Sequence, residues 1–229
     1  MKSRQGHAPI RLDFIEPGGA TTGRLLPAGG VRTRLDIPGE TGLEISAVDA
    51  ANACVFAKAS SLGLLGTELP DALESDVGVM RRLSAIRSHA AVAMGLAASA
   101  EEAARNPAVP FIALVAPPAE SFHLDGERRS SHEMDLSVRV LSNGRIHRAL
   151  PLTISLCTAV AAAIQGTVVH DVVHLAGRRP QEGEALRLGM PSGVLSVGAH
   201  VERDGCGWRA RHGSFYRTAR LLFDGYVHY

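Results

Sequence analysis

Several short segments of this 229-residue chain carry residue types that could do chemistry. His170-Asp171-Val172-Val173-His174 spaces two histidines as a helical metal pair would, one turn apart on one face. The flanking Thr167-Val168-Val169 and Val172-Val173 favour a strand, in which four residues span about 13 Å, too far to share an ion. No metal site is expected. Gly18–Arg24 (GGATTGR) has the glycine gap of a phosphate loop, but Arg24 and Leu25 stand where that motif requires Lys and Ser or Thr. Its glycines could still bring backbone N–H groups close to a carboxylate. Gly189-Met190-Pro191-Ser192-Gly193 has its serine one place too late for a nucleophile elbow and reads as a turn. Cys157-Thr158 is expected to open a buried helix, where bare amides and the helix dipole attract anions and lower a thiol pKa. The competing reading of Cys157 is a small, inert, buried apolar residue. Asn52 lies between two strand-like runs, where it could grip a carboxylate or simply satisfy a bulge or turn.

The elements that must position these residues follow from periodicity. Residues 9–16 alternate Ile10, Leu12 and Phe14 as a half-buried strand, and 43–50 and 53–57 are further strand-like runs. Val77, Met80, Leu83, Ile86, Ala90 and Ala93 recur at helical spacing behind a Ser75 or Asp76 cap, and Ser99 with Glu102 starts a second, short helix. Strands are expected at 111–116 and from Met134 to the Asn143-Gly144 turn, with a polar surface loop over 117–132 between them. Residues 155–166 are small, apolar and uncharged, the pattern of a helix buried on all sides. Strands are then expected at 167–175, 185–190, 193–201, 208–212 and 215–220, with a turn near Asp224-Gly225. The sum is an α+β unit, a mixed sheet curled around a central buried helix with outer helices near 76–105.

Composition narrows the function classes. A formal charge of +1 without a basic stripe argues against nucleic acid and membrane surfaces as partners. No apolar run approaches bilayer length and Met1–Arg11 lacks an apolar leader core, so a cytoplasmic protein is expected. Cys54, Cys157 and Cys206 form neither a disulfide framework nor a zinc motif. Lys2 and Lys58 are the only lysines among 24 basic residues, so lysine-based proton transfer has little to draw on.

Taken together, PGGATTGRLLPAGG, LDIPGETGLEISAVDAANACVFAKASSLGLLGTELP (35–70), SLCTAVAAAIQGTVVHD (155–171), LGMPSGVLSV (188–197) and YRTARLLFDGYV (216–227) resemble the PrpF family, in the same order. That family includes 2-methylaconitate cis-trans isomerases and 4-oxalomesaconate tautomerases. The resemblance implies the diaminopimelate-epimerase-like fold, two similar domains with substrate held between them, and cofactor-free proton transfer on a small di- or tricarboxylate. It implies that Asn52, Cys157, Thr158, Ser192 and Gly193 face substrate, with Cys157 also a candidate acid or base. Residues 1–229 resemble, as one unit, only the C-terminal domain. The family's Gly-Gly-Thr-Ser-Lys motif and the first-half lysine and cysteine that move the proton have no counterpart, Ala53 replaces a proline, and Ala28-Gly29-Gly30 replaces Thr-Gly-Asn. The expectation is therefore a truncated or split isomerase, inactive alone, whose partner is a separate N-terminal half or a second copy. The alternative is a non-catalytic carboxylate- or partner-binding module that keeps the fold.

Overall fold

A helix without a single charge needs a wall on every side, and a curled sheet provides one. The computed structural model describes residues 8–177, 184–205, 207–219 and 225–226; Lys2, Cys206 and Asp224 of the expected turn lie outside the described residues. The strands of the first half are β1 (Ala8–Ile15), β2 (Thr33–Ile37), β3 (Glu40–Asp49), β4 (Ala53–Lys58) and β5 (Phe111–Ala116). A small hairpin, β6 (Ser121–Phe122) and β7 (Arg128–Arg129), interrupts the stretch expected to be loop. Then come β8 (Leu136–Ser142), β9 (Arg145–Ile146), β10 (Leu186–Met190), β11 (Gly193–Asp204) and β12 (Gly207–Ala219). Among the described residues one mixed sheet runs β1-β12-β11-β10-β8-β5-β4-β3-β2, with β9 paired to β8.

The helices divide between the two faces. On the outer face, α1 (Pro70–Ser75) leads into α2 (Val77–Ala93), whose Leu83, Ile86 and Ala90 pack with Ile45, Val55 and Leu114 of the sheet. The Asp76 carboxylate caps α2 by accepting from Val79 N, and the Ser99 hydroxyl caps α3 (Ala100–Arg105) by accepting from Glu102 N. Buried Arg87 ties α2 to the end of α3 and the following loop, donating to the carbonyls of Ala103, Asn106 and Val109. The inner face holds α4 (Leu152–Ala163) and α5 (Val168–Leu175) against Val48, Phe56, Val138, Leu188 and Phe215. Every residue of α4 from Ile154 to Ala161 is buried.

Three sequence expectations need correction. The buried helix starts at Leu152, not Ser155, because Pro151 with its extended ψ of 140° makes the N-cap and fixes the first turn. Residues 167–175 form helix α5 rather than a strand. Thr167 Oγ1 accepts from His170 N and donates to Ala161 O, and Val168, Val169, Val172 and Val173 pack together on one buried helical face. Tertiary burial outweighs the modest helix penalty of the β-branched side chains. The expected strands 208–212 and 215–220 are one strand, β12: Gly213 does not break it but leaves room for the Leu156 side chain, into which a methyl group at this position would run.

Candidate functional site

The amino end of α4 carries no side-chain cap. Its first helical hydrogen bonds run from Ile154 N and Ser155 N to Pro151 O, so the amides of Leu152 and Thr153 precede the ladder. The summed peptide dipoles add roughly half a positive charge at this end. Leu150 N donates to Met190 Sδ at 3.3 Å, which ties the start of α4 to the end of β10. There the Pro191-Ser192 turn leads into β11, with Ser192 exposed. Gly193 adopts φ 136°, a conformation that a side chain would strain.

Cys157 and Thr158 are not in the first turn. They sit in the middle of α4, about 7.5 Å and more along the axis from Leu152, and both are fully buried. Cys157 Sγ donates to Val48 O at 3.4 Å, and burial pushes the thiol far above its ordinary range instead of lowering it. Thr158 Oγ1 donates to Ile154 O at 2.7 Å within the helix. The register shift of α4 takes both residues off the end that could meet an anion.

Asn52 completes the β3–β4 turn, in which Ala51 adopts φ 62° and donates its N–H to Pro17 O. Asn52 Oδ1 accepts from Ala53 N at 2.9 Å, so the turn uses the side-chain oxygen, while no described residue takes the Nδ2 hydrogens. By strand direction this turn lies at the same end of the sheet as Ser192. β4 starts where β8 finishes, and β10 runs parallel to β8. The structure thus brings Ser192 and Gly193 beside the start of α4, sets Asn52 toward the same end of the sheet but three strands away from β10, and leaves Cys157 and Thr158 inside the wall.

Two polar groups at this end escaped sequence reasoning. Asp49 is fully buried, and its Oδ2 accepts from Thr21 N at 2.8 Å, Thr22 N at 2.6 Å and Thr22 Oγ1 at 2.8 Å. The glycine-rich Gly18–Arg24 segment therefore does wrap its amides around a carboxylate, but the carboxylate is the chain's own. The signal was incomplete, because the partner is 28 positions away. His123, beside the Pro191 turn through the Leu124 N to Pro191 O bond, is buried with Nδ1 unpartnered. Burial lowers its pKa, and the nearby guanidinium of Arg139 lowers it further. A single histidine in a polar stretch offers no spacing from which this could be read.

Comparison with known proteins gives these features a context. A sequence model described as PrpF protein matches residues 4–229. The 2-methyl-aconitate isomerase of Shewanella oneidensis is 34% identical over 223 residues, 96% of this chain and 55% of that protein. The 3-methylitaconate isomerase of Eubacterium barkeri is 33% identical over 224 residues, 97% of this chain and 57% of that protein. The crystal structure of a methylitaconate-delta-isomerase superposes with a TM-score of 0.83 at 31% identity, covering 96% of this chain and 55% of that one. The chain thus spans a little over half the length of these relatives, and its fold is the expected α+β, diaminopimelate-epimerase-like one.

Proposed function

This chain belongs to the PrpF family, and from that premise we propose that it forms one lobe of a cytoplasmic, cofactor-independent isomerase. Its substrate would be a small unsaturated di- or tricarboxylate of the 2-methylaconitate or 4-oxalomesaconate type. The observation that carries the proposal is the uncapped amino end of α4 beside the exposed Ser192 turn. Moving a double bond next to a carboxylate means taking a proton from one carbon, shifting the electron pair along the chain, and returning a proton to another. Negative charge builds on the carboxylate oxygens between those two events. The Leu152 and Thr153 amides, the Ser192 hydroxyl and the helix dipole suit that charge, and Asn52 Nδ2 offers a further donor toward the same end of the sheet.

The base and the returning acid are a different matter. The Cys157 thiol is buried and held protonated. Lys58 Nζ is committed to Asp171 at 3.3 Å, on the inner helix α5. In this reading the chain binds and polarises the carboxylate, and a facing lobe, in a separate N-terminal half or a second copy, exchanges the protons. Without that lobe water screens the electrostatic stabilisation.

The test is to incubate the purified chain with 2-methylaconitate or 4-oxalomesaconate, following absorbance, and to titrate 2-methylaconitate against the Leu152, Thr153 and Ser192 amide resonances. Saturable amide shifts with negligible turnover are expected. Turnover at enzymic rates would refute the half-site reading, and unmoved amides would refute carboxylate binding at α4.

A further inference from the structure

The opposite end of α4 carries a second polar site that the isomerase reading does not use. Gly166, with φ 91°, lets the chain turn by 73° between α4 and α5. That turn places the non-valine face of α5 against a cavity of about 320 Å³, lined on its other sides by Ala159, Ala162, Ala199, Val201, Glu184 and His200. His170 and His174 project from this face. Their Nε2 atoms are 2.7 Å apart, the ring centroids 3.9 Å apart, and the planes nearly perpendicular at 81°.

We propose that His170 and His174 form a two-histidine binding site for a divalent transition-metal ion, with Cu2+ the best match. The helix supplies the spacing that a strand would have denied, since residues i and i+4 share one face. Two nitrogens bound at about 2.0 Å stand about 2.8 Å apart at a right angle and about 3.3 Å apart in a tetrahedron. The 2.7 Å separation, a hydrogen-bond distance in the metal-free pair, lies closer to the right-angled spacing of a tetragonal ion than to the tetrahedral one.

When both Nε2 lone pairs face an ion, each ring carries its proton on Nδ1. His170 Nδ1 is buried without a hydrogen-bond partner, and Asp171 Oδ1 lies 4.0 Å from it. A small ring rotation gives that orphaned position the carboxylate partner that metal-bound histidines ordinarily have. Among the described residues no group of three metal-binding side chains converges, so within them the ion has two protein ligands.

The untagged full chain would be titrated with Cu2+ and followed by electron paramagnetic resonance. One saturable equivalent with coupling to two nitrogens is expected. His174→Ala, at an exposed position, should weaken binding at least tenfold and remove one nitrogen coupling, with circular dichroism confirming the fold. His132→Ala, elsewhere on the surface, should change neither. Absence of a saturable equivalent, or full binding in His174→Ala, would overturn the site.

Discussion

Two of the places where this molecule offers backbone N–H groups to negative oxygen differ in who occupies them. The Gly18–Arg24 segment surrounds Asp49, so its donors are satisfied from within and it serves as a clasp between a loop and the end of β3. The amino end of α4 offers the same chemistry with no acceptor among the described residues and an exposed hydroxyl alongside. Donor geometry alone does not distinguish a structural nest from a binding site. The distinction is whether the chain has already filled it, and on that ground the glycine motif is structural and the α4 mouth is the candidate.

The largest effect should come from emptying the filled nest. Asp49→Ala removes three charge-assisted bonds and is expected to cost about 3 kcal/mol in urea unfolding, while Ser192→Ala at the open site should cost less than about 0.5 kcal/mol. Equal costs would erase the contrast. Next is the wall that holds α4 in place. Gly213 has no unusual φ, so Gly213→Ala should cost about 2 kcal/mol purely by collision with Leu156. In a Leu156→Ala background that penalty should largely vanish, because the colliding atoms are gone. A penalty unchanged in the double variant would mean that the strand itself, not the helix, requires glycine.

The open site can be altered one donor at a time. Pro151 is extended, so Leu152 is a position that accepts proline without breaking the helix. Leu152→Pro and Leu152→Ala both lose the side chain, but only the first loses the N–H. Binding of 2-methylaconitate by calorimetry should be about tenfold weaker in the proline variant, the worth of one hydrogen bond to a charged group. Matched affinities would mean that the amide is not in contact with the ligand.

Much of this arrangement was legible because burial leaves a mark on composition. A charge-free run such as 155–161 has to lie inside, and Pro-Ser-Gly at 191–193 has to turn. What misled was phase. Placing the start of α4 three residues late, almost one helical turn, put Cys157 and Thr158 at a mouth they do not reach. The four valines of α5 pointed to a strand because β-branched residues are common there. The contrary signal, Thr167 ahead of an i, i+1, i+4, i+5 valine pattern, was available but outweighed. With that misreading went the histidine pair, since four residues along a strand and four along a helix are different distances. Asp49 and the Thr21-Thr22 amides could not be paired from sequence, because nothing local connects positions so far apart.

The smallest expected effect concerns acid. His123 lies against the Pro191 turn, and His147, whose Nε2 is 2.7 Å from Ser142 Oγ, lies near the end of β8; burial lowers both pKa values. A histidine with a depressed folded pKa stays neutral while the unfolded chain takes up a proton. Its stabilising contribution is therefore complete above the unfolded value of about 6.5 and declines as pH falls toward the folded value. Melting temperature should drop between pH 7.5 and 5.5, and less steeply in His123→Gln and His147→Gln than in the parent chain. If the slope is unchanged in His123→Gln, the surroundings of His123 beside the Pro191 turn are not as dry as its burial implies. The turn would then have to be treated as solvated on both sides, which weakens the contrast with the sealed Asp49 nest.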